Sequence, residues 1–304
     1  MKYRKLGKGG PQCPRIVLGC MRIGDKPVER TEALISAALD AGVNMFDHAD
    51  IYAGGESERK FGEAVRNLKI PREKLILQSK CGIRPGMYDF SREHIVGSAE
   101  NSLKRLGTDY LDVLLLHRPD ALMDPEEVFS AFEELHRSGK VRAFGVSNFS
   151  VSQIELLQGG RYEIVADQLQ FSLLHSGLVD EGLNVNMTKD ESTRRGGDVL
   201  NYCRLKDIAV QAWSPLNYGF ISGIFVGNEK FPEVNAELNR LAEKYGCTPA
   251  AIAFAWILRH PAGMQVVSGT SDAGHFTELC KAADVELTRE EWYSLYRSTG
   301  KTLP

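Results

Sequence analysis

The 304-residue sequence predicts a (β/α)8 TIM barrel with a short N-terminal β-hairpin and a long loop after the sixth strand. Eight short apolar runs alternate with stretches of helical periodicity. The runs lack the in-out alternation of half-exposed strands, as parallel strands covered on both faces do. Nearly every run stops at a polar or reactive side chain: Asp47, Lys80, His117, Ser147 with Asn148, Gln168, Trp213, then Ser268-Gly269-Thr270. Polar groups stationed at the carboxyl ends of many strands are how a parallel barrel builds a site. A doubly wound sheet would place Gly-x-Gly-x-x-Gly after its first strand, and none follows Ile16-Val17-Leu18-Gly19.

Taken in order, residues 2–13 read as a hairpin around the turn Gly7-Lys8-Gly9-Gly10-Pro11. The strand at Ile16 follows, then a helix over 31–41 that Gly42 stops. Helices over 58–68 and 91–106 precede the strands at Leu75 and Val113. Asp124-Pro125 caps and opens a helix running to Arg137. A shorter helix over 151–158 leads to the strand at Ile164. The rhythm breaks over 172–197, a polar stretch without period that is either a lid or an unstructured surface insertion. A helix over 198–205 restores it before Ile208. Helices over 232–245 and 248–259, separated by Gly246, and a terminal helix in 288–304 complete the reading. No linker interrupts residues 1–304, which read as one domain.

Composition narrows the function. Net charge is -3 with no basic stripe, which argues against a nucleic-acid partner. No run reaches the roughly 20 apolar residues that cross a bilayer, and no signal core follows Met1. The six cysteines show no Cys-x-x-Cys pair, so neither a disulfide framework nor a zinc site is indicated, and a cytoplasmic setting is expected.

Barrel closure would bring Asp47, Tyr52, Lys80 and His117 together. A tyrosine alone is a poor acid, with a reference pKa of about 10. A lysine ammonium beside it should lower that value, and a carboxylate beyond should keep the lysine charged despite burial. The arrangement suits proton donation to a carbonyl oxygen, with the histidine orienting that oxygen. It contains no nucleophile and no metal cage, so the missing reagent is expected to be a hydride-donating cofactor.

Three blocks then carry a resemblance over nearly the whole chain. They are Gly42 through Asp47-His48-Ala49-Asp50-Ile51-Tyr52 to Ser57-Glu58 and Gly62, then Asn101 through Asp112 to His117, then Gly139-Lys140-Val141 through Ser147-Asn148-Phe149. Together they resemble the aldo-keto reductases. The resemblance implies a catalytic tetrad with Tyr52 as proton donor, Lys80 and Asp47 as its tuning pair and His117 orienting the carbonyl. It implies reduction of an aldehyde or ketone with NADPH, NADH being possible, by a monomer acting on a small-molecule carbonyl substrate. A cofactor-binding regulatory subunit with little turnover is the alternative.

The same resemblance implies that Ser147, Asn148 and Gln168 hold the nicotinamide carboxamide and that Trp213 stacks on the ring. Met21 and the run Ser214-Pro215-Leu216 with residues 217–223 would complete that face. Gly269, Thr270, His275 and Glu278 would meet the adenosine end. His275 stands where an Arg gripping a 2'-phosphate is expected, and arginine's two-pronged hold is lost there. Asp272 adds a negative charge, although Thr270 and the following helix amino terminus remain suited to an anion. Met21, Tyr88, Phe90, Pro119, Phe149, Phe171 and Tyr218 follow strand ends and are expected to wall an apolar pocket.

Overall fold

A computed structural model describes the chain except residues 160, 161, 189, 194, 195, 220, 221, 302 and 304. A hairpin of β1 (Tyr3–Lys5) and β2 (Gln12–Pro14) leads into β3 (Ile16–Gly19), α1 (Val28–Asp40), β4 (Met45–Asp47) and α2 (Glu56–Asn67). Next come β5 (Ile76–Cys81), a second small hairpin of β6 (Ile83–Arg84) and β7 (Met87–Tyr88), and α3 (Arg92–Leu106). β8 (Leu111–Leu116), α4 (Pro125–Arg137), β9 (Val141–Ser147), α5 (Val151–Leu157) and β10 (Ile164–Gln170) continue the alternation. After α6 (Gly177–Leu183) and α7 (Val199–Lys206) come β11 (Ala209–Trp213), α8 (Pro232–Tyr245), α9 (Pro249–Arg259) and β12 (Gln265–Ser268). The chain then forms α10 (Ala273–Cys280) and α11 (Arg289–Ser298). Eight parallel strands close in the order β10-β11-β12-β3-β4-β5-β8-β9, so the expected (β/α)8 barrel is the observed fold.

Cap chemistry sets the helix ends close to where the sequence placed them. Asp124 accepts from the Glu126 N–H ahead of Pro125, and Thr248 accepts from the Ala251 N–H ahead of Pro249. Gly107 and Gly246 terminate α3 and α8 in the left-handed conformation. The tail is shorter than expected, since α11 ends at Ser298.

Residues 172–197 differ from the unstructured reading of that stretch: among the described residues the segment holds α6 and a 3-10 turn at Asp190–Ser192. The Asp180 carboxylate accepts from the Tyr296 hydroxyl at 2.9 Å and pairs with Lys301 at 3.3 Å, tying α6 to α11 and the tail. Glu181 accepts from the Gly196 N–H at 2.8 Å. These are internal ties of a buttress, and they escape a hydrophobic-period search because they are carboxylates.

Period-two alternation along each barrel strand sorts the interior from the helix-facing side. The lower interior is apolar: Leu6 and Cys13 from the first hairpin plug it against Val17, Met45, Val113, Leu115, Val165 and Val267. Gly145 belongs to this crowded layer, since a Cβ there would lie 2.5 Å from the Leu115 side chain and 2.8 Å from the Ala166 carbonyl. Helix-facing positions bury a larger core that includes Phe46, Phe61, Phe132, Phe144, Phe254 and Trp256.

The second sequence block serves the wall of the barrel. Buried Asp112 on β8 accepts from the Leu77 N–H at 2.9 Å, pairs with Arg72 at 2.7 Å and with Arg142 at 3.2 Å. Both guanidinium groups also lie 3.7 Å from the Tyr110 ring centroid, one from β9 and one from the turn before β5. Removing the carboxylate leaves a buried N–H and two cations unpaired. Asp112→Ala is expected to lower unfolding stability by about 3 kcal/mol while leaving KM for substrate unchanged. Urea unfolding followed by circular dichroism, with steady-state kinetics on the folded protein, checks both halves.

Candidate active site

The upper interior of the barrel is polar. β4 and β5 pair in a register that sets Asp47 opposite Gln78, which places Lys80 two residues further up the same interior face. The Lys80 ammonium is fully buried. It donates to Asp47 Oδ1 at 2.8 Å and Oδ2 at 2.7 Å, to the His48 carbonyl at 2.8 Å and to the Tyr52 hydroxyl at 3.2 Å. Tyr52 is held over this group by a 3-10 turn, Tyr52–Gly55, in which Ala53 adopts a positive φ of 50°. The His117 ring lies edge-on to Tyr52, with centroids 6.0 Å apart. The four residues expected at one site are therefore adjacent.

Burial works against the Lys80 charge, but Asp47 and Tyr52 outweigh it and hold the ammonium above its ordinary pKa. The expectation for Tyr52 needs correction. Burial raises its pKa, and the Lys80 ammonium only offsets part of that rise. Tyr52 is thus a firmly protonated phenol at neutral pH, which suits a proton donor. His117 is pushed well below its ordinary pKa by burial, with Lys80 and Arg118 adding to the effect. Its ring is neutral and has one N–H to donate, and Nδ1 is buried without a hydrogen-bond partner among the described residues.

The first sequence block also builds the support beneath this group. Glu58, fully buried on α2, accepts from Ser79 Oγ at 2.6 Å and pairs with Arg105 of α3 at 2.7 Å. That ties β5 to two helices one residue before Lys80. His48 is fully buried with its pKa pushed down to about 3 by burial and by Lys80, so only its backbone carbonyl serves the site.

Around the rim, Asn148 has a positive φ of 63° and a side chain bonded on both sides. Its Oδ1 accepts from the Trp213 indole N–H at 3.1 Å, and its Nδ2 donates to Ser147 Oγ at 2.9 Å. Ser147 Oγ donates onward to the Gln168 carbonyl at 2.7 Å. Trp213 is therefore anchored by its edge, half-buried, at the end of β11. Ser214 follows with a positive φ of 49°, turning the chain through Pro215 and Leu216. The following loop is tied back to β10 and the residues after it by Gln170 Nε2 donating to the Gly219 carbonyl at 2.8 Å and Ser172 Oγ to the Asn217 carbonyl at 2.6 Å. Phe220 and Ile221, within the loop expected along the cofactor, lie outside the described residues.

Beyond β12, Ser268 Oγ is buried without a partner among the described residues, Gly269 is exposed and Thr270 half-buried. Asp272 caps α10, accepting from the His275 N–H at 2.8 Å, and that bond holds its carboxyl below the usual range. His275 is 82% exposed, with Nδ1 3.9 Å from Asp272. Glu278 pairs with Lys281 at 2.8 Å. A carboxylate thus already occupies the helix amino terminus that seemed suited to a phosphate.

The apolar wall is only partly as expected. Met21, in the turn after β3, and Tyr88, on β7, are exposed. Phe90, Phe149 and Phe171 are instead buried: the first two stack on each other at 6.2 Å and Phe171 stacks on Trp256 at 5.4 Å. They brace the loops from beneath and cannot face a substrate.

The sequence reading missed three glutamines. Gln78, Gln211 and Gln265 are buried in the interior beside Gln168. Parity was the available signal, because Gln78 lies two residues before Lys80 and Gln211 two before Trp213.

The donor set fits a nicotinamide dinucleotide: an indole face, three amide or hydroxyl side chains at one end, and a buried unpaired hydroxyl with a glycine turn at the other. The aldo/keto reductase family model matches residues 15–297. This chain belongs to the aldo/keto reductase family. It is 35% identical to the oxidoreductase YdhF of Escherichia coli, covering 95% of this chain and 94% of YdhF. It is 36% identical to a 6-dehydroglucose reductase of Agrobacterium fabrum over 93% of each chain. The solved structure of the thermostable aldo-keto reductase Tm1743 with the inhibitor epalrestat superposes with a TM-score of 0.79 at 29% identity. That alignment covers 98% of this chain and 100% of the other. The protein is accordingly an oxidoreductase of a family that reduces carbonyls with nicotinamide cofactors. Among the described residues no helix is long and apolar enough to cross a membrane.

One buried group next to the site has a consequence for stability. Asp167 points to the opposite side of β10 from Gln168, near Cys203 of α7, and burial raises its pKa to about 8. The backbone N–H groups of Phe149 and Asn148 pull it back only in part. The folded state therefore binds this proton more tightly than the unfolded chain does. The stability this confers is full below the ordinary carboxylate pKa and is lost as pH rises towards about 8. Asp167→Asn is expected to raise Tm by on the order of 5 °C at pH 9, with the gain fading towards pH 4. Thermal melts across that range test it, and a pH-independent shift would contradict the assignment.

Proposed function

We propose that the protein reduces an aldehyde or ketone to the alcohol at the mouth of the barrel, with Tyr52 as proton donor. The observation that carries this reading is the Tyr52 hydroxyl hydrogen-bonded to a fully buried lysine that is itself paired with Asp47. A reduced nicotinamide, when bound, supplies the hydride that a carbonyl carbon accepts. Tyr52 gives its proton to the carbonyl oxygen as negative charge develops there. The phenolate left behind is held by Lys80, and Asp47 keeps Lys80 charged while that happens. Neutral His117 donates its single ring N–H to the same oxygen and sets its direction.

Ser147, Asn148 and Gln168 are the groups we assign to the carboxamide, with Trp213 against the ring and Met21 at the pocket edge. Ser214, Pro215 and Leu216 would follow the pyrophosphate, and Gly269, Thr270, His275 and Glu278 the adenosine end. Asp272 at the amino terminus of α10 repels a 2'-phosphate, and His275 lacks the two-pronged grip that arginine has on one. Both NADPH and NADH are therefore proposed as cofactors, with less than about tenfold preference between them. The likeness to a 6-dehydroglucose reductase makes polar aldehydes the first substrate class to try.

Tyr52→Phe removes the proton and keeps the ring. Turnover is expected to fall at least about 10³-fold, while the Kd values for NADPH and NADH, read from quenching of tryptophan fluorescence, stay within about threefold of wild type. Retention of a tenth of wild-type activity would rule out Tyr52 as the essential acid.

A further inference from the structure

Four buried glutamines form a continuous chain across the barrel interior, and its two ends remove the usual ambiguity of an amide's orientation. At one end the carbonyl of Pro14 can only accept, and Gln265 Nε2 donates to it at 2.7 Å. At the other end the Asp47 carboxylate accepts from Gln78 Nε2 at 2.5 Å and from Gln168 Nε2 at 3.0 Å. With its nitrogen turned to Pro14, Gln265 presents its oxygen to Gln211 Nε2 at 3.0 Å. Gln211 Oε1 then accepts from Gln78 at 2.9 Å and from Gln168 at 3.1 Å. The second N–H of Gln211 goes to Gln78 Oε1 at 3.1 Å. Both donors and both acceptor positions of Gln211 are thus used. Flipping any one amide sets oxygen against oxygen where no solvent can compensate.

We infer that Gln211 is a positioning residue that locks the Gln168 amide, so that both Gln168 N–H groups are spent inward and only its oxygen is offered to the mouth. The same lock holds Asp47 against Lys80. The inference rests on the nicotinamide reading of the mouth and deepens it. The Gln168 oxygen selects a ligand that brings an N–H, and the carboxamide NH2 of a nicotinamide is such a group. A nicotinamide whose NH2 is replaced by methyl keeps its carbonyl but loses the bond.

The test compares Kd values, by isothermal calorimetry, for NADPH and its reduced 3-acetylpyridine analogue. Wild-type protein is expected to bind NADPH about 5- to 10-fold more tightly. In Gln211→Met the Gln168 amide loses one of its two inward acceptors and is held by Asp47 alone, so its orientation is less fixed and the ratio should fall by at least about twofold. Gln265→Met cuts the chain at the Pro14 end and should lower the ratio less. A purely structural role for Gln211 would weaken both ligands equally and leave the ratio intact, which overturns the inference. A ratio near 1 in wild-type protein overturns it as well. If Gln211→Met does not fold, the wild-type and Gln265→Met ratios decide. Failure of wild-type protein to bind either ligand is a different outcome, which removes the nicotinamide reading and this inference with it.

Discussion

The ion pair between Lys80 and Asp47 is the constraint on which the upper half of this barrel depends. An ammonium group with no exposure costs several kcal/mol to bury unless partners replace its water, and here two carboxylate oxygens, a backbone carbonyl and a phenol do so. Those partners come from β4, from the turn after it and from the loop beyond. The pair therefore fixes the register of β4 against β5, since a one-residue slip would put the two side chains on opposite faces of the sheet. It also dictates what surrounds it. Asp47 Oδ1 accepts from Lys80 and from two interior glutamines, so the polar layer around Asp47 continues across the barrel to Gln265.

Below that layer the interior is conventional, with the first hairpin closing an apolar floor. The contrast separates two tasks. The floor, the Asp112 cluster and the helix-facing core hold the strands in place, while the polar layer aims side chains at the mouth. Each rim group is fixed by a bond to a residue on or just after another strand: Trp213 to Asn148, Ser147 to Gln168, Gln168 to Asp47. A site on strand ends braced in this way varies less in geometry than one on loops alone.

Much of this was legible in the sequence because strand ends announce themselves. The apolar runs stopping at Asp47, Lys80 and His117 located three strands and three side chains that the fold brings together in the candidate site, and cap residues such as Asp124 and Thr248 placed helix starts to within a residue. What was not legible came from side chains whose role depends on distant partners. Gln78, Gln211 and Gln265 read as ordinary polar residues until closure brought β5, β11 and β12 around one axis with β10. Phe90, Phe149 and Phe171 follow strand ends like true wall residues, yet they turn inward to stack. Charge proximity suggested a lowered Tyr52 pKa, but burial outweighs Lys80. Burial depth is not visible in a sequence, so that balance could not be struck there.

Transfer of a labelled hydride tests the central claim most directly. NADPH or NADH carrying deuterium at the reactive ring carbon would be incubated with wild-type protein and a set of aromatic, aliphatic and sugar aldehydes. One deuterium is expected on the carbinol carbon of the alcohol for each cofactor oxidised. Alcohol formed without deuterium on that carbon, or no alcohol from any aldehyde despite cofactor binding, would contradict it.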